Sequence, residues 1–286
     1  MRINQGKVPA GDIDIAYTAV GSGKPLIVVH GGPGIGARYL RKLDAWADEY
    51  QIVCYDQRGC GATELGDPEK VGFKGNIDDL DALRTGLGIE KANLVGHSAG
   101  ALLAMLYAAH RPERAASLML LNAAPPLVKE LQDRLWANMA ARRTAEDDAE
   151  KQEIESSEGF QKRDPKTLER YFVNMYRPFF RDRANLAKID MGFTHVTATN
   201  VLEAWERTFA DIEDLDPIGS LAQIACPTLV VHGEHDPVPE EWSRLLADRI
   251  PGARYAFLEG CNHFAHIDDP GVLAGAVKPF LRKHAV

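Results

Sequence analysis

The chain has 286 residues, 33 Lys and Arg against 41 Asp and Glu, a net charge of −8 and 45% hydrophobic residues. At about 150 residues per domain that length suits one large domain carrying an insertion. An acidic chain without a basic block argues against nucleic acid and anionic membranes as partners. No apolar run approaches the roughly 20 residues that cross a bilayer. The opening Met1-Arg2-Ile3-Asn4-Gln5-Gly6 has no apolar core of a signal peptide, so a cytoplasmic location is expected. Cys54, Cys60, Cys226 and Cys261 have no CxxC or zinc spacing and read as reduced, buried thiols.

In chain order, Asp12–Tyr17 alternates polar and apolar, the pattern of a half-buried antiparallel strand. Leu26–Val29, Gln51–Tyr55, Ala92–Val95, Ser117–Leu121 and Thr228–Val231 are continuous apolar runs, each the signature of a strand covered on both faces. Helical stretches such as Ile77–Leu87 and Ala99–His110 lie between most of them. Alternation of this kind predicts an α/β fold with a mostly parallel central sheet and helices on both faces. It lapses from about Ala124 to Asp216, where amphipathic patterns over Leu127–Met139 and Leu168–Phe180 predict an inserted helical cap. The expected division is therefore a core of residues 1–123 and 217–286 and a cap of 124–216. The aromatics Tyr171, Phe172, Tyr176, Phe179 and Phe180 either pack onto the core or line a pocket under the cap. The cap holds 14 Lys and Arg against 19 Asp and Glu, five of the eight net negative charges, and Glu146-Asp147-Asp148 reads as a solvated face.

After the run Ala92–Val95 comes Gly96-His97-Ser98-Ala99-Gly100 and then an Ala/Leu-rich helix. A serine on so sharp a strand-to-helix turn needs small residues two positions away on each side, and the turn lifts its hydroxyl above the sheet edge. Serine is a weak nucleophile at neutral pH and needs a base, which in turn needs an acid to orient it. These should follow in the order Ser, acid, His, each after a later strand. Thr228–Val231 runs into His232-Gly233-Glu234-His235-Asp236-Pro237, where Asp236 is the expected acid and Glu234 the alternative. The preceding strand is followed by Asn122-Ala123-Ala124, without a carboxylate. Tyr255–Leu258 leads into Glu259-Gly260-Cys261-Asn262-His263-Phe264-Ala265-His266, where His263 is the expected base and His266 the alternative. His97 reads as a packing residue of the turn. An oxyanion hole needs two backbone N–H donors. Ala99 should supply one, and Gly32 in His30-Gly31-Gly32-Pro33-Gly34 the other.

Those segments, with Asp56-Gln57-Arg58-Gly59-Cys60-Gly61, resemble the α/β-hydrolase superfamily and, within it, the proline iminopeptidase group, from Asp12 to Leu281. The resemblance implies a Ser98–Asp236–His263 triad, an oxyanion hole at Gly32 and Ala99, and no cofactor or metal. It also implies carboxylates that hold a substrate's free amine. In the late cap Glu203, Glu206 and Glu213 are available for that, with Trp205 beside them as a further substrate contact. If no carboxylate faces the pocket, a desolvated amine has no partner and esters or uncharged amides fit better. The expected activity is a serine hydrolase releasing N-terminal proline or a small apolar residue from short peptides. The alternatives are a carboxylesterase or amidase on small neutral acyl substrates and, in another class, a non-enzymatic ligand receptor on the same fold. A small molecule or short peptide is the expected partner. Serine at position 98 disfavours the aspartate-nucleophile branches of the fold.

Overall fold

The structure is a computed structural model, and the description covers all residues except Met1 and Pro33. The hairpin β1 (Ile3–Ala10) and β2 (Ile13–Gly21) opens the chain, followed by β3 (Lys24–Val29) and β4 (Tyr50–Tyr55). Then come α1 (Phe73–Gly86), β5 (Ala92–His97), α2 (Ala99–His110) and β6 (Ala115–Leu121). Five helices follow: α3 (Lys129–Ala140), α4 (Ala145–Ser156), α5 (Glu158–Gln161), α6 (Pro165–Tyr176) and α7 (His195–Arg207). The chain closes with β7 (Thr228–Gly233), α8 (Glu240–Arg249), β8 (Arg254–Leu258), α9 (Ala265–Asp268) and α10 (Pro270–His284). The eight strands form one sheet in the order β1-β2-β4-β3-β5-β6-β7-β8. β1 and β2 pair antiparallel, as do β2 and β4, and every later pairing is parallel. This is the mostly parallel α/β architecture expected, with a helical cap between β6 and β7.

The continuous apolar runs have a direct cause. In β3, Ile27 and Val29 face one apolar layer while Leu26 and Val28 face the other, so each successive side chain needs to be apolar. The first layer includes α1, α2 and Trp242 of α8, and the second Phe280 of α10 and the 3-10 segment Ala37–Trp46. Helix α2 is buried along its length from Ala99 to Ala109, which accounts for its lack of any polar stripe. The strand β1 escapes the sequence pattern because it is an edge strand, exposed over most of its length.

The inserted helices dock through specific contacts. The carboxylate of Asp211 accepts the N–H groups of Phe73 (2.8 Å) and Lys74 (2.9 Å), capping α1 from across the chain. That cap starts α1 four residues before the helical pattern begins. Helix α6 starts at the N-cap Asp164 with Pro165 in its first turn, and it buries Leu168, Phe172 and Tyr176. Pro178 then diverts the chain into a 3-10 turn, Arg177–Phe179, so the expected helix to Phe180 stops at Tyr176.

One expectation for this segment is overturned. Asp147 is not part of a solvated face but 1% exposed. It closes a capping box with Thr144 and accepts Arg177 (3.1 Å) and Arg183 (2.6 Å). Two guanidinium groups from the chain after α6 thus converge on the first turn of α4. Burial works against the Asp147 carboxylate, but these donors overcome it and hold its pKa below the ordinary range. No helix among the described residues is long and apolar enough to cross a membrane. The four cysteines are all free and buried.

Candidate active site

The site lies at the carboxyl ends of the central strands, beneath the cap. Ser98 follows β5 with φ 56° and ψ −125°, a strained backbone for a residue with a side chain. The flanking glycines permit the turn by close approach. A Cβ on Gly100 would lie 2.2 Å from the Val29 carbonyl oxygen, and one on Gly96 would lie 2.5 Å from the Ala101 Cα. The Ser98 carbonyl accepts the Ala101 and Ala124 N–H groups (3.0 Å each), so the chain entering the cap is tied to the turn. A Cβ on Gly31 would meet the Ser98 Cβ at 2.7 Å, which brings the glycine-rich loop after β3 directly against the serine.

The loops after β7 and β8 bring Asp236 and His263 together. Both Asp236 oxygens lie 3.0 Å from His263 Nδ1, and both side chains are buried. Asp236 also accepts the Asn122 amide (2.6 Å) and the Val238 N–H (2.9 Å). Burial pushes the Asp236 pKa up, but the His263 ring and the Asn122 donor outweigh it and leave the net shift downward. Asn122 also donates to the Asn262 carbonyl (3.2 Å), so one amide joins the acid to the loop of the base. Sequence reasoning passed over Asn122 in a search for carboxylates; its signal was a lone polar residue directly after a buried strand.

A second element missed in the sequence is a chain of four groups. The His263 carbonyl can only accept, so His97 Nε2 donates to it (2.8 Å). His97 Nδ1 is therefore an acceptor and takes the Tyr39 hydroxyl proton (2.9 Å). The Tyr39 oxygen accepts the Gly31 N–H in turn (2.8 Å). One ordered chain thus joins the glycine-rich loop, the residue before Ser98 and the backbone of His263. Burial, with His263 and His266 close by, holds the His97 pKa well below the usual imidazole value, so it stays neutral as the chain requires. His266 is also fully buried, with its pKa pushed down to about 3, and its Nε2 donates to the Tyr39 carbonyl (3.2 Å). It supports the chain, while Asp236 pairs with His263. Glu234 accepts the Gly260 N–H (2.8 Å), whereas the carboxylate on His263 Nδ1 is that of Asp236.

Over Ser98 lies a cavity of about 330 Å³. Gly32, Ser98 and Ala99 form its floor, so the two expected oxyanion donors share it with the serine. Its walls are apolar and aromatic: Met139, Phe172, Phe179, Trp136, Leu202 and Phe209 among others. Tyr171 and Tyr176 also line it, whereas Phe180 stacks on Phe264 (centroids 4.6 Å apart) outside it. The Phe179 and His263 ring centroids lie 4.6 Å apart, so the cap packs an aromatic ring against the base. Among the described residues Ser98 Oγ has no hydrogen-bond partner, so its path to His263 is not fixed by a contact. Trp205 lines the cavity. Glu203, Glu206 and Glu213 do not: Glu203 pairs with Arg207 on its own helix (3.1 Å), Glu206 is exposed, and Glu213 lies in a 3-10 turn beyond α7. No carboxylate is among the described residues lining the cavity. Cys261 is buried, its thiol pKa pushed up to about 11 by that burial, and it does not line the cavity.

Residues 24–270 match the family described as alpha/beta hydrolase fold. The chain belongs to the α/β-hydrolase superfamily. Similar curated proteins are the proline iminopeptidases of Lactobacillus helveticus, 27% identical with 99% of each chain covered, and Lactobacillus acidophilus, 28% identical over 98% of this chain and 99% of that one. Among solved structures, VinJ is 26% identical with a TM-score of 0.72 over 99% of both chains. The proline iminopeptidase of Mycobacterium smegmatis superposes with a TM-score of 0.71 at 24% identity over 98% of both, a likeness of fold. The sheet is mostly parallel, and a helical segment lies between β6 and β7.

Proposed function

We propose that the protein is a serine hydrolase acting through an acyl-enzyme on ester or amide substrates with an uncharged, apolar acyl group. The observation that carries this reading is the opening of Ser98, Gly32 and Ala99 into one cavity with no carboxylate among the described residues of its lining. Ser98 Oγ attacks the acyl carbon and its proton passes to His263. The carbonyl oxygen becomes an oxyanion and accepts the Gly32 and Ala99 N–H groups. His263 then gives the proton to the leaving group as the ester or amide bond breaks. Water attacks the acyl-enzyme, its proton goes to His263, and Ser98 recovers a proton as the acid departs. Asp236, held by Asn122, orients the imidazole and stabilises its charged form.

A second reading, an iminopeptidase, is favoured by the names of the relatives that match along nearly the whole chain. Its cationic amine would need a paired carboxylate once out of water. The cap acids that the resemblance offered, Glu203, Glu206 and Glu213, are absent from the cavity lining, which weighs toward uncharged acyl groups. The residues 124–216 act in either case as the lid that shapes the pocket. The experiment is a comparison of proline anilide with a short-chain p-nitrophenyl ester, each with and without a free amine. Preference for the amine-free substrates supports the first reading, and preference for free proline anilide replaces it with the second. Ligand binding without any Ser98-dependent turnover would instead indicate a receptor.

A further inference from the structure

Three of the apolar residues that line the cavity also reach the surface. Leu127, Trp136 and Trp205 line it and are also 49%, 51% and 40% exposed. Large apolar side chains standing singly on a surface need no explanation, but two tryptophans and a leucine sharing one opening form a patch. They come from separate parts of the cap: Leu127 precedes α3, Trp136 lies on α3 and Trp205 on α7. The cavity itself is at the small end of the roughly 300–1,000 Å³ usual for small-molecule sites. The cations of the same two helices are engaged elsewhere. Lys129 pairs with Asp133 (2.5 Å), Arg134 with Glu241 (2.6 Å) and Arg207 with Glu69 (3.0 Å). The mouth therefore offers apolar surface continuous with the cavity and no uncommitted cation from these helices.

We propose that the substrate carries an apolar chain or ring system too large for the cavity, and that its outer part lies against Leu127, Trp136 and Trp205. This rests on the hydrolase reading above and narrows its substrate class to extended, uncharged, apolar acyl compounds. The inner part fills the apolar cavity over Ser98, and the outer part covers the tryptophan faces. Rigid aromatic side chains at the mouth lose little freedom when covered, so they suit this task.

The test measures kcat/KM for p-nitrophenyl acetate, butyrate and octanoate, each below its aggregation limit, with Ser98→Ala as the blank. The value is expected to rise with chain length by about twofold or more per methylene. In a Trp136→Ser, Trp205→Ser double variant the octanoate-to-acetate ratio should fall about tenfold, mostly through KM. Both side chains are about half exposed, and a thermal melt checks the fold. Should the double variant not fold, Leu127→Ser is read for the same fall in ratio. An unchanged ratio in a folded variant, or a wild-type optimum at acetate, overturns the proposal. So does a wild-type dimer that the double variant converts to monomer with the ratio intact, since the patch would then join two copies of the chain. Ser98-dependent turnover with a flat length profile removes only this proposal. Absence of Ser98-dependent turnover of any ester removes the hydrolase reading as well.

Discussion

The two walls of the cavity are built on opposite plans. Below, at the strand ends, nearly every polar group is committed: Asp236 to His263 and Asn122, His97 to Tyr39 and the His263 carbonyl. Above, the cap presents Met139, Phe172, Phe179 and Leu202, and Asp147 with its arginine partners is not among the lining residues. The lower wall fixes directions, because hydrogen bonds are directional and a buried one left unmade costs about 1–3 kcal/mol. The upper wall fixes only volume and polarity. On the proposed reading, chemistry belongs to one layer and selection to the other, so each should be alterable with limited effect on its neighbour.

The strongest way to break this comparison is at its centre. Ser98→Ala should lower kcat by a factor of about 10⁴ or more while the melting temperature holds, and Asp236→Asn should come close to it. Full turnover in Ser98→Ala would end the assignment. A smaller effect is expected from Tyr39→Phe. It strips the Gly31 N–H of its acceptor and His97 Nδ1 of its donor, destabilising the chain by about 1–3 kcal/mol. Because the broken chain joins the Gly31 loop to His263, kcat should fall about tenfold or more with little change in KM. A change confined to KM would place Tyr39 with the upper wall instead.

The lower wall should also be the pH-sensitive one. His97 and His266 are buried with depressed pKa values, so the unfolded chain binds protons that the folded chain refuses. Their contribution is complete above the unfolded value of about 6.5 and is lost as the pH falls from there toward the folded values. Each should cost about 1.4 kcal/mol per pH unit, read as a falling denaturation midpoint between pH 7 and pH 5. A midpoint flat over that range would mean that neither ring is held neutral. The smallest effect belongs to Glu203→Gln. With Glu203 outside the cavity and paired to Arg207, turnover of amine-bearing and amine-free substrates should each change by less than about twofold. A selective loss on the amine-bearing substrate would revive the iminopeptidase reading.

What could be read in the sequence was what repeats locally. The strand β3 is legible because both of its faces are buried, and the Ser98 turn because its glycines sit at fixed offsets. The strand β1 was not, since an exposed edge imposes no apolar pattern. Tyr39, His97 and Asn122 act through partners 58, 166 and 114 positions away, a relation that no local spacing encodes. The cap was legible as helical, but Asp147 among its acidic neighbours looked like solvent-facing charge until Arg177 and Arg183 folded onto it. Which cap residues face Ser98 depends on how α6 and α7 roll against the core, set by contacts such as Val201 against Gly34.

The positive φ of Ser98 has an implication for inheritance. A glycine would adopt φ 56° and ψ −125° without penalty, whereas any other residue there is strained by about 1–3 kcal/mol. A Ser98→Gly chain should therefore be inert and no less stable, and screening for thermal tolerance alone would accumulate it. On the proposed reading, selection for turnover is what would hold a serine at this strained position against glycine.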